Sequence, residues 1–282
     1  MTVKKQKIRR LLIGGSTWKR LIRTVVLMLG GVYLALLCFA YFFTEQTIFH
    51  PPSSSYRDTE QILKLPSGDD APISAVYLPN ASARYTLLYS HGNGEDVGQF
   101  GAMLAKLKGM GFAVLAYDYH GYGTSPGKPT EANAYRDEEA AYHYLIKNRG
   151  VPANRILAIG HSLGSAMAVD LASRRPLGGL IMESAFVSAD RIVTTLPLLP
   201  FDKFQNLAKI KQVHCPVLIM HGRQDTVVAF WHGEMLFAEA NEPKRALWVE
   251  NAGHNDLFET AGPRYKQALK EFVALIEANP KQ

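Results

Sequence analysis

Apolar positions along this chain fall into two patterns. One is a single long run, Thr24 to Phe43 (TVVLMLGGVYLALLCFAYFF), with no charged residue. Twenty residues at about 1.5 Å each make a helix of about 30 Å, the thickness of a bilayer's hydrocarbon core. Residues 24–43 are therefore expected to form one transmembrane signal-anchor helix. The second pattern is a series of short runs that begins after residue 60. Strands are expected at Gln61–Leu65, Ile73–Leu78, Thr86–Ser90, Phe112–Tyr117, Arg155–Ile159, Gly179–Met182, Pro216–Met220 and Arg245–Val249. Several of them (LLYS, AVLAY, ILAIG, VLIM) are apolar at every position, as strands covered on both faces must be. Helical stretches are expected between them, near Gln99–Gly109, Thr130–Asn148, Leu163–Arg174 and Trp231–Asn241, with Pro263–Ala278 last. Alternation of this kind specifies an α/β fold, a mostly parallel eight-stranded sheet with helices on both faces, spanning residues 61–282 as one domain.

Charge sharpens the picture of the N-terminus. Residues 1–23 hold eight cations and no acid, and the remaining 23 basic side chains face 25 acidic ones. The net charge of +6 thus belongs to a basic tail, and a nucleic-acid-binding surface is not supported. A basic flank before an apolar helix places residues 1–23 in the cytoplasm and the domain on the other side, with a bacterial inner membrane favoured. Bulky Tyr41, Phe42 and Phe43 close the run without a small-residue cleavage site, which argues against a removed signal peptide. Leu37 stands where a lipoprotein signal at Cys38 needs a small residue. Residues 44–60, with Pro51-Pro52-Ser53-Ser54-Ser55, read as a linker; a dozen residues reach at most about 40 Å, so the domain stays near the lipid. Cys38 and Cys215 do not form a disulfide framework.

Chemistry concentrates in a few loops. The pattern G-x-S-x-G occurs twice, as Gly160-His161-Ser162-Leu163-Gly164 and Gly123-Thr124-Ser125-Pro126-Gly127. Ser162 follows the apolar run RILAI and opens a helix rich in small residues, the strand–turn–helix setting of a nucleophile elbow. Ser125 sits in a Gly/Pro loop and is set aside. A serine hydroxyl needs a base, and the base needs an acid to orient it. Asp225, in the loop after Pro216–Met220, and His254, after Arg245–Val249, supply both in the order Ser, Asp, His. Glu183, directly after GLIM, is the rival acid. Leu163 and Asn93 are the expected backbone N–H donors to an oxyanion. Gly92, Gly94 and Gly98 are spaced one residue too far apart for a dinucleotide loop, and Pro129 spoils the phosphate-loop pattern at Gly127-Lys128. No metal motif is present, and no cofactor is expected.

With SHGNGED, YDYHGYGTSPGKP, GHSLG, HGRQDTVV and AGHND in place, the chain from about Gln61 onward resembles the α/β-hydrolase superfamily. More narrowly, with TEQTIFHPP after the anchor, it is similar to small single-pass membrane hydrolases of the depalmitoylase-like and monoacylglycerol-lipase-like branch. His120 and Ala229 stand where that branch usually has Arg and Pro. The resemblance implies a short lid at about 186–213, with Leu196, Leu198, Leu199 and Phe201 offering an apolar face to a small-molecule or lipid-like acyl substrate. It also implies a serine hydrolase cleaving esters or thioesters through an acyl-serine. An amidase or peptidase using the same triad is one alternative, and a non-catalytic binding protein of the same fold is the other.

Overall fold

The computed structural model describes residues 3–68, 71–194 and 202–279, without the side chains of 3–16 and 40–44. The chain divides into two units, Met1–Thr47 and Ile48–Gln282. In the first, one helix, α1 (Val3–Ile48), runs for 46 residues. Its stretch long and apolar enough to cross a membrane, by length and composition, is Thr17–Phe39, with no part buried in protein, and it overlaps the expected 24–43. Lys19, Arg20 and Arg23 fall inside it. Helix α1 also continues beyond Phe43, and it stops two residues before His50, whose helical conformation Pro51 disfavours.

The second unit is built on eight strands, β1 (Leu63–Leu65), β2 (Ile73–Leu78), β3 (Thr86–Ser90), β4 (Ala113–Tyr117), β5 (Ile156–His161), β6 (Gly179–Glu183), β7 (Val217–Gly222) and β8 (Lys244–Val249). Their order in the sheet is β1-β2-β4-β3-β5-β6-β7-β8. Strands β1, β2 and β4 pair antiparallel, and every pairing from β4 to β8 is parallel.

Strand periodicity divides the core into two layers. Leu88, Leu115, Ala158, Leu180 and Ile219 pack on one face against α3 (Glu131–His143), α4 (Gly164–Arg174), α6 (Asn206–Ile210) and α7 (Trp231–Glu239), and Leu87, Val114, Leu157, Ile181 and Leu218 on the other against α2 (Gly101–Gly109), α8 (Leu257–Ala261) and α9 (Pro263–Ala278). Both alternating sets are buried, which is why the strands read as continuous apolar runs. The short helix α5 (Ala189–Val193) follows β6 in the region expected to be a lid. Around it, Leu207 N donates to Val187 O, and Asn206 Nδ2 donates to Phe186 O. Leu196, Leu198, Leu199 and Phe201 lie outside the described residues.

The expected linker is not a free tether. Residues 44–48 belong to α1, Phe49 is buried in the core, and Ser55 and Tyr56 hydrogen-bond to Asp96 and Asp118. Its polar side chains find partners some 40 to 60 residues further along the chain, a pairing that composition alone does not display.

Candidate active site

The loops that follow β3, β5, β7 and β8 meet at the carboxyl edge of the parallel strands, where open α/β sheets place ligands. The loop after β5 is set by close backbone approach. A Cβ on Gly164 would lie 2.0 Å from Ser90 O, and one on Gly160 would lie 2.2 Å from Gly164 O. Only glycine lets α4 start so close to β3 and β5. Between them Ser162 takes φ +51°, a left-handed conformation that a non-glycine residue adopts only when its surroundings impose it. The sharp turn projects Ser162 from the strand end, and its N–H is held by Glu183 O at 2.9 Å.

Ser162, His254 and Asp225 come together from three loops. Ser162 Oγ lies 2.9 Å from His254 Nε2, and His254 Nδ1 lies 2.7 Å from Asp225 Oδ2. An ionised carboxylate only accepts hydrogen bonds, so Nδ1 carries the ring proton and Nε2 is left to take the serine's. Burial opposes the charge on Asp225. Contacts with His221 and His254 and the Val228 N–H outweigh that cost and hold its carboxyl well below the usual carboxylate range. Asp225 Oδ1 accepts from Val227 N at 2.9 Å and Val228 N at 2.7 Å, while His221 Nε2 stands 3.3 Å from Oδ2. The rival Glu183 is occupied elsewhere: it hydrogen-bonds to Tyr265 OH, and burial pushes its carboxyl up.

Leu163 is buried at the start of α4, and Asn93 lies in the loop after β3. Among the described residues, neither backbone N–H donates to a protein acceptor. Both therefore remain available to an oxyanion.

Three participants escape notice in the sequence. His161 Nε2 donates to His254 O (3.1 Å), and Ser184 Oγ donates to the same carbonyl (3.2 Å), so the His254 backbone is gripped from the end of β5 and from the residue after β6. On its other side His161 Nδ1 faces Glu95 Oε2 at 3.8 Å, and that oxygen accepts Gly92 N at 2.9 Å. Burial opposes a charge on the His161 ring, but Glu95, Glu183 and the His254 carbonyl together raise its pKa. Glu95 is in turn lowered, because His161 and Gly92 N overcome its own burial. His161 is the second residue of the elbow pentapeptide and Glu95 lies three places past Gly92, but nothing in the sequence pairs the two. Among the described residues, no group of His, Cys, Asp or Glu has the arrangement to hold a metal ion. A cavity of about 650 Å³ between β1 and α3, lined by Leu65, Arg136, His143 and Tyr144, shares no residue with this site.

This geometry sits in a recognisable lineage. Alpha/beta hydrolase domain-containing protein 17B of Homo sapiens is 42% identical over 196 residues, covering 68% of this chain and 67% of that protein. The chain belongs to the α/β-hydrolase family. A family model described as serine aminopeptidase, S33, matches this hydrolase at residues 81–210, a range that holds Ser162 but ends before Asp225 and His254. An esterase of Pyrococcus furiosus has the same fold at TM-score 0.66 and 21% identity, covering 80% of this hydrolase and 98% of the esterase. A monoacylglycerol lipase of Paleococcus ferrophilus aligns at TM-score 0.58 and 19% identity, covering 72% and 98% respectively.

Proposed function

We propose that this hydrolase cleaves carboxylic esters or thioesters of acyl substrates through an acyl-serine intermediate, held at a membrane by α1. The observation that carries the proposal is the unbroken relay from Ser162 through His254 to Asp225, at 2.9 and 2.7 Å, with the serine on a strained turn. In the first half-reaction Ser162 Oγ attacks the acyl carbonyl carbon while its proton passes to His254 Nε2. The carbonyl π electrons move onto oxygen, which the Leu163 and Asn93 N–H groups stabilise. Collapse expels the alcohol or thiol, which takes the proton from His254. Water then repeats the sequence on the acyl-serine and frees the acid. Asp225, ionised throughout, orients the ring and stabilises its positive charge.

Exposed Ile192, Val193 and Val227 offer apolar surface on the lid and on the loop that carries Asp225, which suits an acyl chain. The basic tail before Thr17–Phe39 supports a cytoplasmic N-terminus with the catalytic unit across the membrane, a bacterial inner membrane being the favoured setting. An amidase or peptidase reading draws on the matched family's description as a serine aminopeptidase. A graded panel of esters and thioesters, with matched amides, tests both. Turnover of esters and thioesters rising from acetyl to medium chains supports the proposal, by up to about 0.8 kcal/mol of binding per buried CH₂. Preference for amides would favour the second reading.

A further inference from the structure

The loop that carries Asn93 has few holds of its own, among them Gly92 N on Glu95 Oε2 and Gly94 N on Asn93 Oδ1. Asn93 is flanked by Gly92 and Gly94, the latter at φ +75°, and Asn93 itself is exposed. An oxyanion donor is effective only when fixed before the charge arrives, within about 0.5 Å of its productive place. Something outside the loop must supply the rigidity.

The chain segment directly after α1 does so at two points. At the first, His50 N donates to Asn93 Oδ1 at 2.9 Å, and Asn93 Nδ2 donates to Ile48 O. The same Oδ1 accepts from Tyr122 OH at 2.6 Å and from Gly94 N at 3.0 Å. Between Ile48 and His50, Phe49 is buried, its ring edge-on to Tyr122 and Phe204 at 6.4 and 5.8 Å. At the second point, Ser55 N donates to Asp96 Oδ2 at 2.6 Å, and Ser55 Oγ donates to Asp96 Oδ1. Tyr56 OH donates to Asp118 Oδ2 at 2.5 Å, and Asp118 Oδ1 accepts Val97 N at 2.8 Å. Burial and the Asp118 carboxylate raise the Tyr56 hydroxyl to about 12, so it stays a donor at any physiological pH. The Asn93 loop is thus pinned at Asn93 and at Asp96 by residues 48–56.

We propose that Ile48–Tyr56 is a positioning element of the active site, which holds the Asn93 backbone N–H in place through the Asn93 side chain and Asp96. This inference rests on the hydrolase reading above. It makes the attachment to α1 part of the catalytic apparatus: cutting the chain between Ile48 and Tyr56 would weaken the enzyme instead of releasing an active domain.

The test uses the full-length protein in detergent. Asn93→Ala keeps the backbone N–H and removes the clamp. Its kcat should fall about 10- to 100-fold, since a displacement of about 1 Å can cost 10²-fold. KM should stay within about two-fold, and affinity for an alkyl boronic acid, whose serine adduct mimics the tetrahedral intermediate, should fall in parallel with kcat. Ser55→Ala, acting at the other pin and away from the reacting atoms, should give a smaller loss of the same kind. Activity is expressed per Ser162 labelled by a fluorophosphonate, which removes any contribution from misfolded protein. Loss of labelled sites with unchanged kcat per site would show a merely structural role and overturn the inference. So would wild-type kcat in both variants with boronate affinity intact. Failure of the wild type to label at Ser162 would instead overturn the hydrolase reading beneath it.

Discussion

Two stretches of this hydrolase carry the same pentapeptide pattern, and their backbones solve it in opposite ways. In Gly160-His161-Ser162-Leu163-Gly164 the serine takes the positive φ, and the glycines are needed because neighbouring backbone passes within about 2 Å of where a Cβ would sit. In Gly123-Thr124-Ser125-Pro126-Gly127 the glycines take the positive φ, at +52° and +96°, and the serine does not. The hydroxyls differ accordingly. Ser162 Oγ meets a histidine that can accept its proton. Ser125 is buried at 4% exposure, its Oγ donating to Asp118 O at 3.1 Å and accepting Ser74 N at 2.8 Å. One serine is held in strain with its hydroxyl turned to a base, while the other joins β2 to the loop after β4. The motif states which residue types occur; the chain around it decides which serine meets a base.

The largest expected break in the comparison is Ser162→Ala, which should lower kcat by about 10⁶ and leave folding intact, the remainder coming from oxyanion donors and binding. Ser125→Ala, measured in parallel, should keep its turnover per folded molecule. Asp225→Asn comes next, at about 10⁴ in kcat, because the amide no longer selects the ring tautomer. Glu183→Gln should have far less effect on kcat, and exchanged magnitudes would move the orienting role to Glu183.

Thermal and urea unfolding should reverse the order of the two serines, since Ser162→Ala leaves folding intact, while the elbow registers through its glycine. Gly164→Ala must push a Cβ into Ser90 O and should cost about 3 kcal/mol or more. Ser125→Ala strands the buried Ser74 N–H and should cost about 1–3 kcal/mol.

The fold and the meeting of Ser162, His254 and Asp225 were legible in the sequence because both rest on local signals. Strands buried on both faces read as apolar runs, and all eight lie within two residues of their expected ends. Ser162, Asp225 and His254 each follow such a run, so the strand ends pointed to the loops that the fold brings together. The grip on the site was not legible. Ser55 and Asp96 are 41 residues apart, and His161 and His254 are 93 apart. Polar contacts over such distances leave no periodicity, and a segment rich in Pro and Ser reads as a tether whether or not it is docked.

The smallest expected effect concerns the elbow's histidine. His161 is raised, so its contribution to stability is full below its unfolded pKa and is lost as pH rises through the folded value. Glu95 is lowered, so its contribution holds above its unfolded pKa and is lost as pH falls through the folded value. The pair is therefore strongest between those limits. The stability gap between wild type and His161→Gln should narrow as pH is raised from 6 to 9 in urea titrations; a gap independent of pH would mean that the ring is uncharged throughout.

Ser162, and not its twin Ser125, is proposed as the nucleophile. The most direct test of that proposal is reaction of the full-length protein with a fluorophosphonate, followed by mass mapping of the adduct in wild type, Ser162→Ala and Ser125→Ala. One adduct per chain on Ser162 is expected in the wild type and in Ser125→Ala, and none in Ser162→Ala. An adduct on Ser125, or an active wild type that stays unlabelled at Ser162, would contradict the account.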